Sequence, residues 1–290
     1  MKNLARLSLV LALALGSAAP LRAQGAPDPN APPPVLTITR EVVRVGKNAA
    51  HEVNEQGWAG VLAKAQWPTG WLGTTAVTGP NEAWYFTGYP SWEAWEKDTN
   101  ARDAAEALAE TRKYAAQDGE LLNGTFQIVA RYRPALSYQP NVTLGQMRYF
   151  TIDTVRVKPG RGAEFAERWR DIVAAHEKAK MDEHWAVYQV EAGAQAGTFM
   201  FIYARKSLAD LDTAGPMHGG QAYRDAMGEA GRAKNREMDR DVIEFEQTNH
   251  YAFSPKMSYV PKAWVDADPA FWTPKPVPAP ATKKPAEKKP

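Results

Sequence analysis

The sequence contains no cysteine among its 290 residues. Disulfide cross-links, a lipid anchor on a thiol and a thiolate nucleophile are therefore excluded. A chain of this length buries enough apolar surface to fold without covalent staples. Also missing are an apolar stretch of the roughly 20 residues that a membrane-spanning helix needs, a Gly-x-Ser-x-Gly motif, a His-Glu-x-x-His motif and a phosphate-binding glycine loop. Charge of one sign is scarce as well. The formal net charge is +2, and the basic excess sits at the two ends: Lys2, Arg6 and Arg22 at one, Lys275, Lys283, Lys284, Lys288 and Lys289 at the other. The body between them is net acidic and has no electrostatic footprint for nucleic acid.

The ends read as segments outside the fold. Lys2 and Arg6 precede an apolar run over 7–15 and the small residues Gly16, Ser17, Ala18 and Ala19, the pattern of a secretory signal peptide cleaved after Ala23. Residues 1–23 are expected to direct export, giving a periplasmic or extracellular protein. Residues 24–35 are expected to be a flexible proline-rich leader. Residues 263–290 are expected to be a Pro/Lys-rich disordered tail, whose basic charge suits anionic envelope polymers.

What is present is a repetition. Val43-Arg44-Val45 is answered by Val155-Arg156-Val157, residues 89–95 by 205–211, and Leu136-Ser137-Tyr138-Gln139-Pro140 by Met257-Ser258-Tyr259-Val260-Pro261. The separations of 112, 116 and 121 drift while the order of landmarks holds. A unit of about 115 residues is a whole small domain and too long for a solenoid repeat. The boundaries follow as 36–140 and 141–262.

Each unit reads as strand, helix, two strands, helix, strand. In the second, 150–157 is β-rich and ends at a Lys-Pro-Gly turn. Phe165, Trp169, Ile172, Val173 and His176 then trace one helical stripe. Strands follow over 185–190 and 198–204, a Ser207 cap, a polar helix over 223–241 and a strand over 242–253. In the first, a strand over 36–45 leads to a weak helix over 49–65 with Val53, Val61 and Leu62 inside. A hairpin over 71–88, a Ser91-capped helix, a helix over 103–117 and a strand over 125–133 complete it. A βαββαβ unit is ferredoxin-like, one antiparallel sheet with helices on one face. The expected fold is α+β: two tandem ferredoxin-like repeats whose bare sheet faces meet inside one chain.

The run Val155-Arg156-Val157-Lys158-Pro159-Gly160-Arg161-Gly162-Ala163-Glu164-Phe165, followed by Trp169, resembles the opening of the dimeric α+β barrel superfamily. That group includes NIPSNAP-like proteins, antibiotic-biosynthesis-type monooxygenases, EthD-like proteins and chlorite-dismutase-like haem proteins. The resemblance covers residues 36 to about 261. It implies an intramolecular version of that barrel, and it does not choose among the superfamily's chemistries. For the haem-binding relatives it implies a proximal histidine, for which His176 and His218 are the candidates; no cofactor or metal is assigned.

Arg44 and Arg156 lie between valines on first strands. They either turn inward, where two guanidiniums favour an acidic ligand, or pair at the surface with carboxylates such as Glu41 or Asp153. His176 and His184 are the candidate acid–base residues, and Trp71, Trp185, Tyr188 and Tyr203 the candidate stacking surface for an aromatic ligand. The leading expectation is binding of a small aromatic or acidic molecule between the sheets. The alternatives are an enzyme of monooxygenase or isomerase type and an envelope protein tethered by its basic tail.

Overall fold

A computed structural model describes residues 28–213 and 220–273; the expected signal peptide, His218 and residues 274–290 lie outside them. β1 (Val35–Val43), rich in β-branched residues, runs into a turn at Gly46. There φ is +81°, a conformation that favours glycine. The turn launches α1 (Asn48–Lys64). β2 (Leu72–Ala76) and β3 (Glu82–Tyr89) pair as a hairpin. Ser91 Oγ then accepts the Ala94 amide and caps α2 (Trp92–Ala104). α3 (Thr111–Leu121) and β4 (Leu122–Tyr132) close the first half.

The second half repeats this order. β5 (Tyr149–Val157) leads through Gly160, at φ +79°, into α4 (Gly162–Ala179). β6 (Ala186–Ala192), β7 (Thr198–Arg205), the short α5 (Asp210–Thr213), α6 (Gln221–Val242) and β8 (Ile243–Phe253) follow. Two further short helices, α7 (Lys262–Ala267) and α8 (Pro269–Trp272), end the described chain.

The strands form one closed barrel in the order β1-β3-β2-β8-β5-β7-β6-β4. Within each half the order is last, first, third, second. The halves join where β2 pairs antiparallel with β8 and β4 with β6. Closure leaves no unpaired edge. Side chains alternate across the wall. Leu36, Ile38, Trp84, Phe86, Phe150, Ile152, Met200 and Ile202 fill the lumen, while Val155, Val157, Phe199, Phe201 and Tyr203 face outward under α4.

The two halves correspond at a finer register than the sequence landmarks indicate. β1 begins at 35 and β5 at 149, and α1 begins at 48 and α4 at 162, a separation of 114 in both cases. A bulge follows Val42 in β1 and Arg156 in β5. Arg44 therefore matches Lys158, not Arg156: their amides bond to Leu121 O and Val242 O respectively. The two arginines of the repeated Val-Arg-Val motif are not equivalent positions.

The segment after each half's last strand crosses to the other half. Tyr138 bridges Trp185, and Tyr259 bridges Trp71. Trp185 Nε1 donates to Leu136 O at 2.8 Å, and Trp71 Nε1 to Met257 O at 2.7 Å. Ser137 Oγ accepts the Val187 amide and Ser258 Oγ accepts the Gly73 amide. The motifs Leu136-Ser137-Tyr138 and Met257-Ser258-Tyr259 are thus reciprocal clasps.

Three expectations are corrected. The helix placed over 103–117 breaks, because Ala105 is extended and a short 3₁₀ turn turns Leu108 in against Val61 and Leu62. Val53 is 67 % exposed, and the buried face of α1 carries His51, Asn54 and Glu55. The tail boundary at 263 falls inside the fold. Trp264 and Trp272 are buried, Trp272 Nε1 donates to Gly145 O, and Arg148 pairs with Asp268 while its guanidinium lies over the Phe271 ring.

Ser137→Ala and Ser258→Ala each leave a buried amide without its acceptor, which costs about 1–3 kcal/mol. The clasps are at different seams, so urea denaturation of the double variant should give the sum within about 0.5 kcal/mol.

Candidate functional site

One mouth of the barrel holds an apolar cavity of about 770 Å³. Its floor is lumen-facing: Leu36 of β1, Leu72 of β2, Phe86 of β3, Phe150 of β5, Tyr188 of β6 and Ile202 of β7. Its cover is residues 28–34 together with α7. Trp264 Nε1 donates to Pro29 O at 3.0 Å, the Leu144 amide to Asn30 Oδ1 at 3.1 Å, and Tyr188 Oη to Pro33 O at 3.2 Å. Burial, with Tyr132 alongside, pushes the Tyr188 phenol well above its usual value, so it acts as a neutral donor. Gly88 admits the cover, since a Cβ there would lie 2.6 Å from Pro33 Cγ. The leader expected to be flexible is thus, over 28–34, part of the cavity wall.

Trp71, Trp185, Tyr188 and His184 are among the cavity residues. The indole nitrogens of Trp71 and Trp185 are committed to the clasps, and the Trp185 ring is packed in the outer cluster against Tyr138, Trp169, His176 and Tyr203, so it borders the cavity without opening onto the lumen. His184 sits at the rim, where Nδ1 donates to Gln139 O at 2.8 Å and Nε2 faces Asp182 Oδ1 at 3.2 Å.

The other expected site residues lie elsewhere. Arg44 is exposed beyond the end of β1 and donates to Leu122 O and Gly119 O at the end of α3. Arg156 pairs with Glu244 at 2.8 Å. It lies six residues along β5 from Phe150, which at about 3.3 Å per residue puts it near the opposite mouth. Neither guanidinium lines the cavity, so they do not form an acid-binding pair there. Tyr203 is corrected by strand alternation: Ile202 and Ala204 line the cavity, and Tyr203 faces outward under α4. His176 is fully buried on that same outer side. Its Nδ1 donates to Ile172 O at 2.7 Å, Nε2 faces Glu183 at 3.1 Å, and the ring packs against Trp185 and Tyr223. It is not among the residues that line the cavity.

A second constellation lies on the outer face of the first half, beneath α1 and α3. Glu41 points out from β1, and His51 and Glu55 point down from α1 at i, i+4. His51 Nε2 is 2.8 Å from Glu41 Oε2 and 3.9 Å from Glu55 Oε1. Asn54 Nδ2 donates to Asp118 Oδ1 on α3, and Tyr85 of β3 lies against Glu55. All of these except Asp118 are buried. Burial, reinforced by Glu41 and Asp118, pushes the Glu55 carboxyl up to about 9. Burial and Glu41 raise Asp118 to about 6.

The sequence reading missed this group. Glu41 appeared there only as a partner for Arg44, and His51, Glu55 and Asp118 not at all. The available signal was the His51–Glu55 spacing on a helix that lacks an apolar stripe.

No protein-family model and no curated protein matches the chain. Among solved structures it is similar to a monooxygenase-like protein from Fusobacterium nucleatum (TM-score 0.51, 12 % identity, 77 % of this chain and 93 % of that one). It is also similar to another from Lactobacillus acidophilus (TM-score 0.50, 7 % identity, 78 % and 95 %). At these identities the likeness is one of fold: this chain is a mixed α+β protein whose eight strands close into one antiparallel barrel.

Replacing Trp264 with Ala removes a buried indole and the hydrogen bond to Pro29, at a cost of about 3 kcal/mol. The expected readout is faster limited proteolysis within 28–34, with the barrel's far-ultraviolet circular dichroism unchanged.

Proposed function

We infer that the protein binds a small, flat, uncharged aromatic molecule in the barrel mouth. The observation that carries this reading is the composition of the cavity: its walls are aliphatic and aromatic. Its ionisable lining, among the described residues, is confined to Asp28 and His184 at the cover and rim, apart from the neutral phenols Tyr89 and Tyr188. A volume of about 770 Å³ matches a ligand of two or three fused rings. Tyr188 and the peptide carbonyls of the cover would supply orientation, and the rest of the affinity would come from apolar contact. The acidic-ligand variant has lost its support, because Arg44 and Arg156 lie away from the walls.

We read the 114-residue correspondence of strands and helices, with the reciprocal clasps, as a tandem duplication of one ferredoxin-like unit. Export through residues 1–23 belongs to the same proposal and is checked by the N-terminal mass of the protein recovered from culture.

An oxygen-consuming enzyme is the second reading, favoured by the monooxygenase-like assignment of the two structural neighbours. Such a reaction would use the enclosure of the cavity to exclude water. Oxygen uptake above the no-enzyme rate with a bound phenol or quinol would turn the binding protein into an enzyme.

Titration with N-phenyl-1-naphthylamine, a neutral fluorescent two-ring probe, tests the binding site. Saturable binding is expected, weakened at least about tenfold, or roughly 1.4 kcal/mol, by Ala186→Trp, which fills the cavity. Arg44→Ala should leave it unchanged. Absence of saturable binding, or indifference to Ala186→Trp, sinks the proposal.

A further inference from the structure

We propose that Glu41, His51 and Glu55 form a binding site for one divalent first-row transition-metal ion, of the Zn²⁺ or Mn²⁺ kind, on the outer face of the first half. The site is separate from the mouth cavity, whose lining includes none of these residues.

The first argument is what stands at the same places in the other half. By the strand and helix registers, Glu41 corresponds to Val155, His51 to Phe165 and Glu55 to Trp169. Tyr85 corresponds to Phe201, since β1 pairs Thr39 with Tyr85 where β5 pairs Asp153 with Phe201. In the second half these four positions are an apolar cluster, with Trp169 and Phe201 ring centroids 4.1 Å apart. The same scaffold is therefore stable with hydrocarbon here. Packing does not require a histidine, two glutamates and a phenol in its place. The polar bridge one layer out does persist: Asn54–Asp118 in one half matches Arg168–Asp239 in the other.

The second argument is unspent hydrogen-bonding capacity. Glu55 Oε1, Tyr85 Oη and Asn54 Oδ1 are shielded from solvent and make no hydrogen bond of normal geometry with the protein. Glu55 and Tyr85 are each more than nine-tenths buried, and both aim into the space beside His51. Tyr85 and Glu55 lie against each other and can share one such bond. Leaving the remaining capacity of Glu55 unpaired costs roughly 1–3 kcal/mol, which calls for a partner.

Charge and geometry then select a cation. Three carboxyl groups, Glu41, Glu55 and Asp118, gather around a single histidine, and every ion pair recorded for this group is one that His51 makes. The three donor atoms lie within 4.8 Å of one another. Ligands about 2.0–2.2 Å from a tetrahedral ion stand roughly 3.3–3.6 Å apart. The His51–Glu41 and His51–Glu55 separations of 2.8 and 3.9 Å lie on either side of that range, and the two carboxylates, within 4.8 Å of each other, would draw together on the ion. One imidazole with two carboxylates suits a borderline ion better than Mg²⁺ or Ca²⁺, which prefer all-oxygen shells. Ligation requires the two carboxylates and a ring nitrogen free of protons, so any proton on a donor atom leaves to solvent on binding. Tyr85 is positioned to hydrogen-bond the Glu55 carboxylate from outside the ligand set.

The test is native mass spectrometry and calorimetry on the full chain, stripped with EDTA and titrated with Zn²⁺, Mn²⁺, Mg²⁺ and Ca²⁺ separately. One Zn²⁺ or Mn²⁺ per chain is expected, with a higher thermal midpoint and no comparable effect of Mg²⁺ or Ca²⁺. Glu41→Gln and Glu55→Gln should each weaken binding more than about 100-fold, beyond what loss of an outer partner causes. Asp182→Asn, which disturbs the surface pair with His184, should leave it intact. X-ray absorption of the loaded wild-type chain keeps the test independent of variant folding: a shell with one imidazole nitrogen and carboxylate oxygens is expected. Failure of the wild-type chain to take up a stoichiometric ion, a shell of two or more imidazoles, or loss of binding in Asp182→Asn would overturn the assignment.

Discussion

Backbone pairing at the two seams is the constraint on which everything else rests. A four-stranded half presents two open edges, and a buried or unpaired row of amides and carbonyls is too costly to leave. Here β2 finds β8 and β4 finds β6, so each half supplies the edge the other lacks. The clasps lock this exchange. Each half's last strand is followed by a Ser-Tyr segment whose hydroxyl and carbonyl groups satisfy a strand start and an indole of the opposite half. Neither half is complete alone.

Closure also decides where chemistry can sit. A barrel of eight strands has an interior just wide enough for side chains. This lumen is packed at its middle by Ile38, Trp84, Met200 and Tyr251, with Trp84 and Tyr251 rings 4.6 Å apart. At one mouth, where Ala186 and Ala204 line the wall, a cavity remains under a cover built from residues outside the two four-stranded halves. The outer faces are different environments again. One is an aromatic core under α4 and α6, and the other, under α1 and α3, is polar. One closed scaffold can hold two such contrasting layers because the hydrogen-bonded wall between them is indifferent to which side chains cover it. Aromatic packing on one side carries stability that the polar side does not need to supply.

The difference between the halves is therefore the informative quantity. Where both have the same residue type, as at the clasps or at Gly46 and Gly160, the position serves the shared backbone. Where one half is Phe, Trp and Phe and the other is His, Glu and Tyr, the difference is not demanded by the fold. The second half, with its regular apolar stripe, looked like the more organised of the two in sequence. In the structure that regularity is simply a well-packed core, His176 included, since both its nitrogens meet acceptors within α4 and its following loop.

The sequence by itself determined most of the secondary-structure order and the α+β class, because strand alternation, helical stripes and turn residues are local properties that survive in one dimension. It also named Trp71, Trp185 and Tyr188, which are among the cavity residues. What only the tertiary structure decided was facing and register. The 114-residue register of strands, helices and bulges matches Arg44 with Lys158 and not with Arg156, and strand alternation turns Tyr203 away from the cavity while Ile202 enters it. Residues 28–34 and Trp264 became cavity walls through contacts spanning more than a hundred residues. His51 and Glu55 became neighbours of Glu41 because α1 lays a polar face on the sheet. Periodicity arguments look for apolar faces, and a buried face made of histidine and carboxylates is invisible to them until the fold removes it from water.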